Sequence, residues 1–253
     1  MNLIMRMTSL AALATPSRRH PISMRAGDRQ RLQALLDSVD ASAAPRIHIT
    51  HGGAPDISGK ALVVLDSSFN PPTRAHMYML SSVVRRFGPA SSVLLLAKQN
   101  ADKPLVGASL LQRLEMMEQL AADESEHSMV CGVTAHPLFV DKAAALQTLC
   151  DGRPDTRVIL IVGYDTWTRI VEPKYYKDSE GGVDAALRRI FDAVEVVVAS
   201  RDPSSASNLE QGATADDQEA FVRRLPDDIT QQRLHFLRTE SEVRLRARPK
   251  ATA

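Results

Sequence analysis

The chain has 253 residues, 44% of them hydrophobic and 24% charged, which is the balance of a globular protein and excludes wholesale disorder. Its 31 basic and 30 acidic residues leave a formal net charge of +1, so no overall field draws it to nucleic acid or to an anionic membrane. The only cysteines, Cys131 and Cys150, form neither a disulfide framework nor a zinc pattern and suit a reducing compartment; no run nears the ~18 apolar residues a membrane helix needs.

In chain order, residues 1–27 come first: they lack acids but carry Arg6, Arg18, Arg19 and Arg25 among Ser, Thr and Ala. A flexible tail is the plainer reading and goes with a cytoplasmic or nuclear protein. A mitochondrial transit peptide has the same composition and is the alternative. Asp28–Val39 then places Leu32, Leu35 and Leu36 on one helical face. From there the period changes. Apolar, β-branched runs recur at 61–65, 93–97, 129–133, 158–162 and 194–199, and Leu234–Leu237 is a last strand. Their continuous apolarity predicts strands covered on both faces, as parallel strands are. Helical patterns lie between them: Thr73–Arg86, Ser109–Ala122, Asp141–Cys150, Asp165–Val171 and Val183–Phe191. Residues 201–217 read as a long surface loop, and a final helix starts near Glu240. The alternation predicts an α/β fold, a Rossmann-like parallel sheet of five to six strands flanked by helices. It also predicts one domain from residue 28 to 253, behind an N-terminal extension.

In such sheets ligands bind at the carboxyl ends of strands, so the turns there come first. The first strand runs into L-D-S-S-F-N-P-P-T-R-A-H (Leu65–His76). Two prolines delay the helix until Pro72, and Thr73 can open it. Thr73 and His76, three apart, share its first turn. A helix N-terminus with an imidazole donor suits a phosphate that gains charge during reaction; a helix cap beside a half-buried histidine is the plainer local reading. Val162–Trp167 (V-G-Y-D-T-W) follows the fourth strand, where Gly163 permits close backbone approach, and Asp165 either meets a ligand or caps a helix. His127, His136 and His235 lack partners at metal-ligand spacing and read as structural. No Ser-His-Asp or Cys-His arrangement stands out, and no protein metal site is expected.

Taken whole, Ser67–His76 resembles the signature of the nucleotidyltransferase superfamily, with Phe69, Asn70, Pro71, Thr73 and His76 in register. Ser67 stands where that family has a glycine that lets the backbone approach the triphosphate. Lys103 and Arg113, Gly163 and Asp165, Arg201, and the segment Arg238–Arg244 are similar to further elements of nicotinamide mononucleotide adenylyltransferases. The D-S-S-F-N-P-P-T start and Gly163–Tyr176 look especially like their divergent fungal branch.

The resemblance, which runs from about Lys60 to Arg244, implies a nucleotidyltransferase-type fold and transfer of AMP from ATP to nicotinamide mononucleotide, giving NAD and pyrophosphate. It implies Thr73, His76 and Arg244 as catalytic residues. Ser67, Ser68, Phe69, Asn70, His76, Arg201, Ser241 and Arg244 would bind ATP. Lys103, Arg113, Gly163, Asp165 and Trp167 would serve the acceptor. Two readings stay open for Arg113, phosphate contact or helix anchor, and two for Trp167, ring stacking or core packing. Mg²⁺ would come bound to ATP. Glu240, replacing a small hydroxyl residue, either points away from the triphosphate or meets Mg²⁺. The alternatives are another phosphorylated acceptor, an ATP hydrolase, or a non-catalytic nucleotide-binding module on the same fold.

Overall fold

The apolar runs of the sequence are buried along nearly their whole length. The computed structural model describes residues 26–59, 61–99, 106–150, 153, 155–177, 179–201 and 214–239. Its first half runs α1 (Ala26–Ser38), β1 (His48–His51), β2 (Ala61–Asp66), α2 (Arg74–Phe87), β3 (Ser91–Ala97), α3 (Leu110–Asp123), β4 (Ser128–Thr134) and α4 (Phe139–Leu149). The second half runs β5 (Arg157–Gly163), α5 (Tyr164–Ile170), a 3₁₀ turn (Pro173–Tyr176), α6 (Gly182–Ala193), β6 (Glu195–Ala199), α7 (Ala215–Val222), α8 (Asp227–Thr230) and β7 (Leu234–Leu237).

Among the described residues, seven strands form one sheet in the order β1-β4-β3-β2-β5-β6-β7, all parallel except β1, which runs antiparallel to β4. The expectation of five to six strands is thus corrected to seven. The missed strand, H-I-T-H, lies at an edge with three of its four residues only half-buried, so it lacks the continuous apolarity of the central strands. All six residues of β2 are buried.

Side chains along the strands alternate between two cores, because successive residues point to opposite faces. Leu62 and Val64 of β2, with Leu160 and Val162 of β5, pack beneath α4, α5 and α6. Val63 and Leu65, with Ile159 and Ile161, pack beneath α1, α2 and α3. The helices start where their caps allow: Ser109 opens α3 by accepting the Gln112 N–H at 3.2 Å, while Gln112 Oε1 accepts the Ser109 N–H at 2.9 Å. Gly88 ends α2 in the left-handed conformation, φ 60°, with its N–H donated to the Val84 carbonyl at 2.9 Å.

From β2 the chain builds outward through β3 to β4, then crosses back under α4 to place β5 on the other side of β2. Strand order therefore reverses between β2 and β5, the topological position at which α/β sheets open a crevice. The expected 201–217 loop is corrected at its end, where Thr214 caps α7 by accepting the Asp217 N–H at 3.2 Å. The helix expected near Glu240 lies outside the described residues.

Candidate active site

At that reversal a cavity of about 730 Å³ opens over the carboxyl ends of β2, β5 and β6, within the size range of small-molecule sites. Its first wall is the turn from β2 into α2. Phe69 makes this turn with a left-handed backbone, φ 43°, which a non-glycine residue adopts only when its surroundings hold it there. Its ring is fully buried in the core beneath α2. What Phe69 presents to a ligand is therefore backbone rather than ring.

Two further residues of the expected site knit this turn to the loop before α3. The Asn70 amide donates to the Val106 carbonyl at 2.7 Å and accepts the Ala108 N–H at 3.0 Å. Arg113 donates to the carbonyls of Ala108, Val106 and Ser68 at 2.9, 2.8 and 3.3 Å. Arg113 is 2% exposed, and its three bonds are those of an anchor, the second of the two roles open to it.

Beyond the turn, Thr73 and His76 meet as their spacing predicts. The Thr73 N–H donates to His76 Nδ1 at 2.9 Å, and Thr73 Oγ1 lies 2.8 Å from the same nitrogen. On the other side of the ring, Nε2 lies 2.9 Å from Ser67 Oγ. Burial, and then the positive charge of Arg201, hold the His76 imidazole below its ordinary pKa range. Ser67, Thr73 and His76 all line the cavity.

Opposite stand Asp165, in the first turn of α5, and Arg201, just past β6. Sequence reasoning gives these residues to different substrates, but the fold joins them in an ion pair. Gly163 comes between: a Cβ there would meet Asp165 Oδ1 at 3.3 Å, so a side chain would press on the pair. Gln218 of α7 grips the Arg201 backbone, accepting its N–H at 2.9 Å and donating to its carbonyl at 2.8 Å. Ser200 and Thr239 close the far end, with the Thr239 N–H donated to Ser200 Oγ at 2.9 Å.

The cavity floor holds a pair absent from the sequence expectations. Lys142 Nζ of α4 lies 2.6 Å from Asp66 Oδ2 at the end of β2, with side chains only 5% and 6% exposed, and 4.2 Å from the Phe139 ring centroid. Two signals pointed to them. Asp66 is an acid ending an apolar strand, and Lys142 falls on the same helical stripe as Ala145 and Leu146, which are buried. Trp167 takes core packing, the second of the two roles open to it, and its place with the acceptor is corrected. It is 1% exposed, packs edge-on against Phe191 with ring centroids 6.4 Å apart, and is absent from the cavity wall. The helical period that brings Asp165 to the cavity turns Trp167 toward the core. Phe139, Tyr175 and Tyr176 supply the aromatic wall instead. Lys103, Ser241 and Arg244 lie outside the described residues.

Comparison with known proteins adds a lineage to this geometry. The family model for cytidylyltransferase-like proteins matches residues 64–243. A Schizosaccharomyces pombe protein bearing the name of a nicotinamide mononucleotide adenylyltransferase is 33% identical over 174 residues, 69% of this chain and 64% of its own length. A Chlorobium luteolum protein named for nicotinate-nucleotide adenylyltransferase is 32% identical over 124 residues, 47% of this chain and 62% of its own. The chain thus spans a little under two thirds of these relatives. Among solved structures, a Plasmodium falciparum nicotinic acid mononucleotide adenylyltransferase complexed with NaAD superposes with a TM-score of 0.48 at 13% identity, covering 72% of this chain and 76% of that one. The family match takes in the β2 turn, the Thr73–His76 helix start and the ends of β5 and β6, and on that extent the chain belongs to the cytidylyltransferase-like family.

Proposed function

We propose that the protein transfers AMP from ATP to nicotinamide mononucleotide, forming NAD and pyrophosphate. The observation that carries this reading is the corner at the strand-order reversal, where Ser67, Thr73 and His76 gather at the start of a 14-residue helix on the wall of a cavity. A helix N-terminus and oriented donors there favour anionic phosphate. The names of the two curated relatives support a pyridine mononucleotide acceptor, and they divide between the nicotinamide and nicotinate forms.

In this reading the acceptor's phosphate oxygen attacks the α-phosphorus of ATP in line. A P–O bond forms as the bond to the bridging oxygen breaks, and pyrophosphate leaves with that electron pair. No covalent enzyme intermediate is required, so catalysis consists of positioning and charge stabilisation. The Ser67–His76 corner would meet the reacting phosphate, with Ser68 and the backbone about Phe69 beside it. Arg201, Ser241 and Arg244 would serve the nucleotide. Lys103, Gly163 and Asp165 would serve the acceptor, whose flat ring would lie against Tyr175 and Phe139. Mg²⁺ would come bound to ATP, where it would neutralise phosphate charge.

The test is incubation of the purified protein with ATP, Mg²⁺ and a panel of phosphorylated acceptors, following dinucleotide and pyrophosphate. NAD formed with stoichiometric pyrophosphate is the expected result. Faster turnover of nicotinate mononucleotide or another acceptor moves the activity within the class. Phosphate or AMP released without dinucleotide makes the protein a hydrolase, and absence of any turnover leaves a binding module.

A further inference from the structure

We propose that Ser67 stands between His76 and the nucleotide: His76 Nε2–H donates to the Ser67 hydroxyl, and the Ser67 O–H is the donor that reaches phosphate. This rests on reading the cavity as a nucleotide site, and it assigns His76 a positioning role exercised through Ser67.

The direction of the chain follows from one bond. A backbone amide can only donate, so the Thr73 N–H bonded to Nδ1 at 2.9 Å makes that nitrogen an acceptor. A neutral imidazole has one donor and one acceptor nitrogen, which puts the ring proton on Nε2. The 2.9 Å contact between Nε2 and Ser67 Oγ is then a donation from the ring to the hydroxyl. Among the described residues Ser67 Oγ has no other hydrogen-bond partner, and Ser67 lines the cavity, so its own proton is available to a ligand. The donors run head to tail from the Thr73 amide at the helix start, through the ring, to the hydroxyl, each polarising the next.

The same tautomer excludes a second use of the pair. A nucleophilic serine needs an imidazole nitrogen that accepts its proton, as in Ser-His-Asp triads. Here the nitrogen facing Ser67 carries a proton, so the serine is a donor to phosphate and not an attacking group. The hydroxyl oxygen accepts the ring N–H, a donor that a glycine at this position would leave without this acceptor.

A double-mutant cycle tests this with Ser67→Ala, His76→Ala and the double variant, each checked for native fold by circular dichroism and melting. Two quantities are read, affinity for an α,β-methylene analogue of ATP and turnover with ATP. Losing a donor to the transition state costs about 10²–10³ in rate. The expected result is a loss of that order in either single variant, with the double variant no worse than the poorer single. Ser67→Ala turning over as fast as wild type or faster, while His76→Ala collapses, would overturn the proposal, because His76 would then reach phosphate directly. Multiplying losses would overturn it too, since each residue would then act alone. Nitrogen-15 NMR of the His76 ring provides a readout independent of turnover: protonated Nε2 is expected, and protonated Nδ1 counts against the chain. Failure of wild type to bind the analogue refutes the nucleotide site itself. Binding with an additive cycle refutes only the placement of Ser67.

Discussion

Lys142 and Asp66 place a full ion pair on the floor of the cavity, where water reaches neither group well. Such a pair contributes little net stability, since desolvating both charges offsets most of their attraction, yet removing one partner strands the other. Lys142→Met is accordingly expected to destabilise the protein by about 3–5 kcal/mol, the usual range for a buried charge left without its partner. Adding Asp66→Leu to Lys142→Met should recover much of that loss. Urea denaturation of the single and double variants checks this, and a double variant no more stable than the single would show that the carboxylate was never stranded. A double variant that regains stability but not turnover would place the pair in the chemistry of the site. Neither residue was singled out in the sequence, and the reason is physical. Charge at the end of a strand or in a helix usually reads as solvated, and only the apolar stripe shared with Ala145 and Leu146 marks Lys142 as buried.

Elements were legible where burial was complete. The five central strands emerge from unbroken apolar runs, and the α2 and α3 starts from Thr73 and Ser109. β1 was not legible, because an edge strand of alternating polarity carries little signal in four residues. The start of α7 carried a signal that composition hid: Thr214 with Asp217 three positions on is a helix-start pattern inside a segment rich in loop formers. The union of the β2 turn with the loop before α3 could not be read at all, since it joins residues 36 to 38 positions apart through one Asn side chain. Gly107 makes that union feasible. Its φ is +85°, and a Cβ there would lie 2.7 Å from Asn70 Nδ2 and 2.8 Å from Oδ1. Gly107→Ala should therefore cost roughly 1–3 kcal/mol through backbone strain, with a further cost from expelling the Asn70 amide. Loss of the clasp should also weaken nucleotide binding, because Asn70 fixes the turn that carries Ser67. Denaturation together with nucleotide titration checks both parts, and an alanine variant of wild-type stability would show that the loop shifts without strain.

Across the whole molecule, the site joins groups from both sides of the strand-order reversal, and electrostatics couples them. Arg201 past β6 pairs with Asp165 at the start of α5, and its charge also acts on His76 at the start of α2. The pair itself adds little to stability, because its side chains are 38% and 31% exposed and solvent screens them. Its larger effect is on the field within the cavity. In the unfolded chain His76 would titrate near 6.5, and in the folded protein it titrates lower, first from burial and then from Arg201. Between the two values the unfolded state holds a proton that the native state lacks. The His76 contribution is thus present above about pH 6.5 and lost as pH falls through the folded value. Asp165→Asn removes the carboxylate that offsets Arg201. The His76 pKa should then fall further, extending that window to more acid pH, as an NMR titration of the ring would record. The stronger positive field should also draw the triphosphate more tightly and lower the Michaelis constant for ATP. In the proposed division of labour Asp165 faces the acceptor, so the constant for nicotinamide mononucleotide should rise. The ATP effect should shrink at high salt, as screening requires. Opposite movements of the two constants are the signature of this coupling. Constants that move together, or a His76 pKa that rises, would mean that Asp165 only holds Arg201 in place, and its assignment to the acceptor would fall.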